Sequence, residues 1–266
     1  MLIRLQVLRA TLIALTLVSL AADGFAQQDV FVSHFGSDSL GTGSANSPFR
    51  TVTRALSVAV DPGDQIIVAA GSYRPSDGEL FPFVLGNGVS LIGPADGTAT
   101  IDGTGVFTPI IVVGSNSANT RIQNLRLLGA GNVFEIFGNP SDLFIRDCTI
   151  LDGRRGINHD FAGDTAAMTV ERCRFLNIQE YGIFWKANAG NPGTHQMVIR
   201  DCVLIGKDLS ASGIEFNGSG DVTFSLDVTG NRVEKFSVGL SLVLAVTSAE
   251  AAIQGSIEGN SLVDSA

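Results

Sequence analysis

The chain lacks the compact signatures of familiar catalytic chemistry. It has no nucleophile elbow, no HExxH zinc motif and no CxxC pair. The Gly-rich stretch GSDSLGTGS lacks the lysine of a phosphate loop and precedes the first helical segment at some distance, so it reads as a flexible surface loop. Basic residues are also scarce, 17 Lys and Arg against 26 Asp and Glu, for a net charge of -9. Such a surface repels nucleic acid and anionic lipid at long range, which removes nucleic acid as an expected partner. Beyond the N-terminus no apolar run is long enough to span a bilayer, so the mature chain is expected to have no membrane span.

The N-terminus is the exception to that polarity. Residues 1–26 carry Arg4 and Arg9 ahead of the apolar run Ala10 to Ala22, then Gly24 and Ala26 before Gln27, the pattern of a secretory signal peptide. A membrane anchor is the competing reading, but the run is short for a span. Loss of this segment removes two basic residues and one acidic one from the totals of 17 and 26, leaving a more acidic chain. The expected location is secreted, periplasmic or cell-surface.

What the chain does have is repetition. IQNLRLL from Ile122 returns as IRDCTIL from Ile145, VERCRFL from Val170, IRDCVLI from Ile199, VTGNRVE from Val228 and IEGNSLV from Ile257, with starts 23, 25, 29, 29 and 29 residues apart. That period belongs to a solenoid whose coils bury their apolar faces against one another. The first and sixth positions are apolar, and several coils add a second apolar run opened by Gly, as in RGINHDF, YGIFWKA, SGIEFNG and VGLSLVL. Short strands between polar corners do not fit the 3.6-residue period of an amphipathic helix, so each unit is expected to be a β-coil.

The fourth position reads Leu125, Cys148, Cys173, Cys202, Asn231 and Asn260. All three cysteines therefore sit in one column. Adjacent coils lie about 4.8 Å apart, wider than the roughly 3.5 to 4.5 Å between the Cβ atoms of a disulfide, so three buried thiols are expected. A linear stack also lacks the tetrahedral geometry of a thiolate metal site. The second position (Arg146, Glu171, Arg200) and the third (Asp147, Arg172, Asp201) alternate in sign, which reads as exposed ladders of opposite charge that fix register.

These phrases resemble the repeats of right-handed parallel β-helix proteins of the pectate-lyase-like superfamily, in which Asn or small residues stack at an inside corner. The N-terminal third, with VSHFGSDS, SPFRTVTRAL, PGDQIIVAAGSY, VSLIG and IDG, resembles the cap region of an uncharacterised family of secreted bacterial β-helix proteins. The resemblance implies an all-β, single-stranded right-handed parallel β-helix with a short N-terminal capping helix. In this reading residues 27–64 form the cap and 65–266 the coils. The helix is expected to open near Ser47 or Thr51, with Pro48 early in it and Val52, Ala55, Leu56 and Ala59 on one face, and to end at Pro62 and Gly63. The sequence stops at IEGNSLVDSA, partway through a coil, which reads as an incomplete end or one that needs a partner.

Strand alternation on the second run, with Ile157, Ile183, Ile214 and Leu240 inward, turns Asn158, Phe184, Glu215 and Ser241 outward, and likewise Asp160, Lys186, Asn217 and Val243. Lys186, Asp160 and Glu215 are therefore the candidate catalytic residues. The resemblance implies a possible lyase activity on acidic polysaccharide, with a basic side chain taking the proton α to a carboxylate and calcium neutralising that carboxylate. Tyr181, Phe184, Trp185 and Asn217 are the candidate substrate-binding residues, because aromatic faces stack on sugar rings. The alternative for Trp185 is an inward position beside His159 and Phe216. His195 is expected in the loop ANAGNPGTHQ, and His34 in the cap loop. With no dense cluster of acidic ligands, a non-catalytic module for polysaccharide or for another extracellular protein is the expected function, with a polysaccharide lyase or hydrolase as the alternative.

Overall fold

In the computed structural model the described residues are 27–115, 117–129, 131–160, 165–245 and 252–263. The proposed leader, residues 1–26, lies outside them. The chain winds as a parallel β-helix of 20 strands, and every pairing between them is parallel. Three faces recur in each coil. The first sheet stacks Gln65–Val68, Ser90–Ile92, Arg121–Gln123, Leu143–Arg146 and Ala166–Glu171, then the later parts of the long strands Tyr181–Arg200 and Val203–Thr229, and Ala252–Glu258. The second stacks Gly71–Tyr73, Ala99–Gly103, Leu125–Gly129, Thr149–Leu151 and Arg174–Ile178, followed by residues 203–206, 232–234 and 261–263. The third stacks Phe83–Leu85, Ile111–Val113, Asn132–Ile136 and Arg155–Asp160, followed by residues 181–189, 212–219 and 238–245.

The repeated phrase maps onto the corner between the first two sheets. Its first position lines the interior of the first sheet and its sixth that of the second, so Ile145, Val170 and Ile199 face Ile150, Phe175 and Leu204 across one core. The third position takes a left-handed turn at every rung, with positive φ at Asn124, Asp147, Arg172, Asp201, Gly230 and Gly259. Asn, Asp and Gly adopt that conformation at low cost, which is why they fill the column; Arg172 is the exception.

The fourth position forms the expected inside ladder. Asn231 Nδ2 donates to the Ile199 carbonyl at 2.8 Å, and Asn231 Oδ1 accepts from the Cys202 backbone N–H at 2.9 Å. Asn260 repeats the pattern, donating to the Val228 carbonyl at 2.7 Å and accepting from the Asn231 N–H at 2.9 Å. The cysteines imitate half of this arrangement. The thiols of Cys148, Cys173 and Cys202 point at the equivalent carbonyls of Ile122, Ile145 and Val170, 3.5 to 3.7 Å away. All three are buried and free, and burial between its two neighbours pushes the Cys173 thiol well above the ordinary pKa.

Another column explains the glycines that open the third sheet. A Cβ at Gly156, Gly182 or Gly213 would lie 2.4, 2.5 or 2.7 Å from the carbonyl oxygen of the glycine one coil further on. The coils approach too closely there for any side chain.

The N-terminal end is covered as expected, by shorter means. Asp29–Val32 adds a strand to the first sheet, and the helix runs only from Val52 to Leu56. Thr51 is its N-cap, and Pro48 lies outside the helix, where its carbonyl accepts from the Ser37 N–H. The buried carboxylate of Glu79 accepts from the Val52 and Thr53 N–H groups at 2.7 and 2.9 Å, which ties the helix start to the following coil. Val52, Ala55 and Ala59 are buried in the core, as the sequence implies.

Candidate functional site

Alternation along the third sheet turns side chains away from the core, and pairing between coils gathers these into columns in which Asn158, Phe184 and Ser212 are largely covered by their neighbours. One column runs Val112, Glu135, Asn158, Phe184, Glu215 and Ser241. A second, three residues earlier on each strand, runs Asn132, Arg155, Tyr181, Ser212 and Val238. A third, two residues later, runs Asp160, Lys186, Asn217 and Val243.

The outward residues named from sequence do share this face. They do not form one catalytic group. Lys186 Nζ donates to Asp160 Oδ1 at 2.9 Å, an exposed pair in register on adjacent coils. Glu215 stands in another column and accepts from Ser212 Oγ at 2.9 Å. Asn217 lies beside Lys186 on the next coil. Each charged candidate thus has a partner, Lys186 and Asp160 across coils about 4.8 Å apart and Glu215 within its own strand.

Trp185 requires a correction as a sugar-stacking residue. It is fully buried, stacks on the His159 ring at 3.9 Å with 4° between the planes, and donates its Nε1–H to His195 Nδ1 at 3.1 Å. Ile183 and Trp185 share a strand face, so the side chain follows the core residue inward. His195 is likewise buried on a strand and not in a surface loop. His159, with ring nitrogens 2.8 and 3.0 Å from the carbonyls of Lys186 and Gly138, has its pKa lowered, chiefly by burial. These three rings form an interior aromatic unit that holds successive coils together.

The centre of the outer face is a network that sequence reasoning missed. Asn132 Nδ2 and Asn158 Nδ2 donate to the two oxygens of Glu135 at 2.6 and 2.7 Å. Arg155 donates to Asn158 Oδ1 at 2.6 Å and to Glu180 Oε2 at 2.8 Å. The same guanidinium lies 5.1 Å from the Tyr181 ring centre and 5.3 Å from that of Phe184, and the two rings are 5.0 Å apart, tilted by 49°. Planar groups and hydrogen-bonding amides and carboxylates thus alternate over adjacent coils. The signal available beforehand was thin. Glu135 and Asn158 occur in strands of different composition, and only the register shows that they are neighbours.

A cleft of about 290 Å³ opens at the edge of this face, lined by Phe107, Pro109, Gly131, Asn132 and Arg154. Among the described residues no group of three or more His, Cys, Asp or Glu side chains is placed to hold a metal ion, and no helix is long and apolar enough to cross a membrane.

Residues 35–250 match the model of a family described as "Protein of unknown function (DUF1565)". The chain belongs to that family. Among solved structures, a rhamnogalacturonan lyase aligns with a TM-score of 0.48 at 14% identity, covering 90% of this chain and 62% of its own. The chain therefore spans less than two thirds of that lyase. No curated protein matches. Membership of DUF1565 brings no chemistry with it, so function has to be argued from the outer face itself.

Proposed function

We propose that this DUF1565 protein is an exported, non-catalytic carbohydrate-binding module that lays a glycan across the outer face of its third sheet. The observation that carries the reading is the Tyr181, Phe184 and Arg155 platform, bordered by Glu135, Asn158 and Glu180. Aromatic faces take the C–H groups of sugar rings, while amide and carboxylate oxygens take their hydroxyl groups. Asn217 and Lys186, one column over, would meet a ring further along the chain. The ion pair of Lys186 with Asp160 supports a binding role over proton abstraction, because a base has to reach the substrate proton and this amine is already a donor to a carboxylate. Export rests on residues 1–26, with removal expected after Ala26 and checked by N-terminal sequencing of the extracellular protein.

The test is a glycan array probed with and without calcium, with each hit followed for ultraviolet absorbance from unsaturated uronic products. Calcium-independent binding, weakened at least fivefold by Phe184→Ala or Tyr181→Ala, is expected. Time-dependent absorbance abolished by Lys186→Ala would overturn the proposal in favour of a lyase. Calcium is the cofactor such a lyase would use.

A further inference from the structure

The outer face of the second sheet carries a different surface. Each strand there sends two side chains outward, one on either side of an inward residue. The leading column runs Arg126, Thr149, Arg174, Val203 and Arg232. The trailing column runs Leu128, Leu151, Leu176 and Ile205, four aliphatic side chains in register on consecutive coils, all partly exposed. Asp102 precedes this ladder and Glu234 follows it, so the apolar stretch has charged ends.

Two of the three arginines in the leading column, Arg126 and Arg174, differ from other arginines of the chain. Arg74, Arg146, Arg154, Arg155, Arg172, Arg200 and Arg232 each contact a carboxylate. Arg126 and Arg174 are exposed, and among the described residues neither side chain has a hydrogen bond, ion pair or ring contact. In a chain of net charge -9, two unpaired cations two coils apart, about 10 Å, stand beside an aliphatic ladder about 14 Å long.

We infer that this face docks an acidic, amphipathic segment of a partner protein, whose apolar side covers Leu128, Leu151, Leu176 and Ile205 and whose carboxylates meet Arg126 and Arg174. Branched aliphatic side chains favour methyl groups over the hydroxyl-rich surface of a sugar, which separates this face from the proposed glycan face. A helix of about ten residues spans the ladder, and its carboxylates on one flank match the arginine column. A second copy of the chain offers no such helix among its described residues, whose one α-helix is the five-residue Val52–Leu56.

The test uses the full chain and a fluorescein-labelled 14-residue helical peptide with a leucine stripe flanked by Glu, beside a matched peptide with Lys in place of Glu. The Glu peptide is expected to bind at least tenfold more tightly than the Lys peptide at 50 mM salt. That preference should fall severalfold at 500 mM salt, and NMR perturbations should be confined to strands Leu125–Gly129, Thr149–Leu151 and Arg174–Ile178 and residues 203–206. Arg126→Glu with Arg174→Glu should remove the preference, and Leu151→Asp should weaken binding at least tenfold with the circular dichroism spectrum unchanged. Arg50→Glu, at another exposed arginine, should leave binding unaltered. Equal binding of the two peptides, no binding of either, or perturbations elsewhere would overturn the proposal. So would tighter binding of polygalacturonate or phosphatidylglycerol vesicles at this face, or concentration-dependent self-association lost in the arginine double variant. Glycan binding through Tyr181 and Phe184 is measured separately, so failure of either proposal leaves the other standing.

Discussion

Replacing Asn231 by Ala probes the inside ladder most directly. The side chain is 1% exposed and joins three coils. Its Oδ1 accepts the Cys202 N–H, and its Nδ2 donates to the Ile199 carbonyl and to Asn260 Oδ1. Alanine leaves the Cys202 N–H without an acceptor, at a cost of about 1–3 kcal/mol, and removes two further bonds worth about 1 kcal/mol in total. A loss of about 3 kcal/mol lowers Tm by roughly 6–12 °C in a domain of this size. Asn231→Cys should lose about 0.5–1 kcal/mol less than Ala, because a thiol can point at the equivalent carbonyl as those of Cys148, Cys173 and Cys202 do on their own rungs, while the Cys202 N–H stays without its amide acceptor in both variants. Differential scanning calorimetry of the three proteins at one concentration and pH is the assay. Equal shifts for Ala and Cys would show that the carbonyl contact contributes nothing, and an Ala shift below about 3 °C would refute the orphaned-donor reasoning altogether.

Arg172→Asn should hold Tm constant or raise it by a few degrees, since relief of a left-handed arginine is worth about 1 kcal/mol and the exposed pair with Asp147 only about 0–1; a clear drop in Tm would mean that the bidentate pair outweighs the backbone strain. Trp185→Ala should destabilise the fold by about 3–5 kcal/mol, whereas Tyr181→Ala should cost far less stability and register in glycan binding, as a urea titration beside the array would reveal. Because burial holds the His159 pKa below its usual 6.5, the unfolded chain takes up the proton first, so the stabilisation from neutral His159 is full above about pH 6.5 and is lost as pH falls below it; a His159→Gln variant with the same slope between pH 6.5 and 5 would assign that loss to other groups. Titration of the unfolded, non-reduced protein should return three free thiols, and a count of one would contradict the column of Cys148, Cys173 and Cys202.

The coil was legible because a β-coil writes its geometry locally. Apolar first and sixth positions, Asn, Asp or Gly at the third and a small or amide side chain at the fourth are demanded within each rung, by burial, by left-handed φ and by the inside hydrogen bonds respectively. Alternation from Ile183 also implied the inward turn of Trp185, although its lone aromatic character suggested a ligand-binding role. Stacking partners were harder to read, because they depend on how many residues each coil spends in its corners. The starts of the repeated phrase are 23 to 29 residues apart, so the contacts of Glu135 with Asn158 and of Arg155 with Glu180 follow from register and not from spacing. The same holds for the helix, which propensity extends back towards Pro48 but which the Glu79 carboxylate, supplied by a later coil, starts at Val52. Sequence by itself determined the repeating unit and which residues face inward, because those are properties of single rungs; tertiary structure alone decided which outward groups meet, because that is set by the alignment of one coil upon the next.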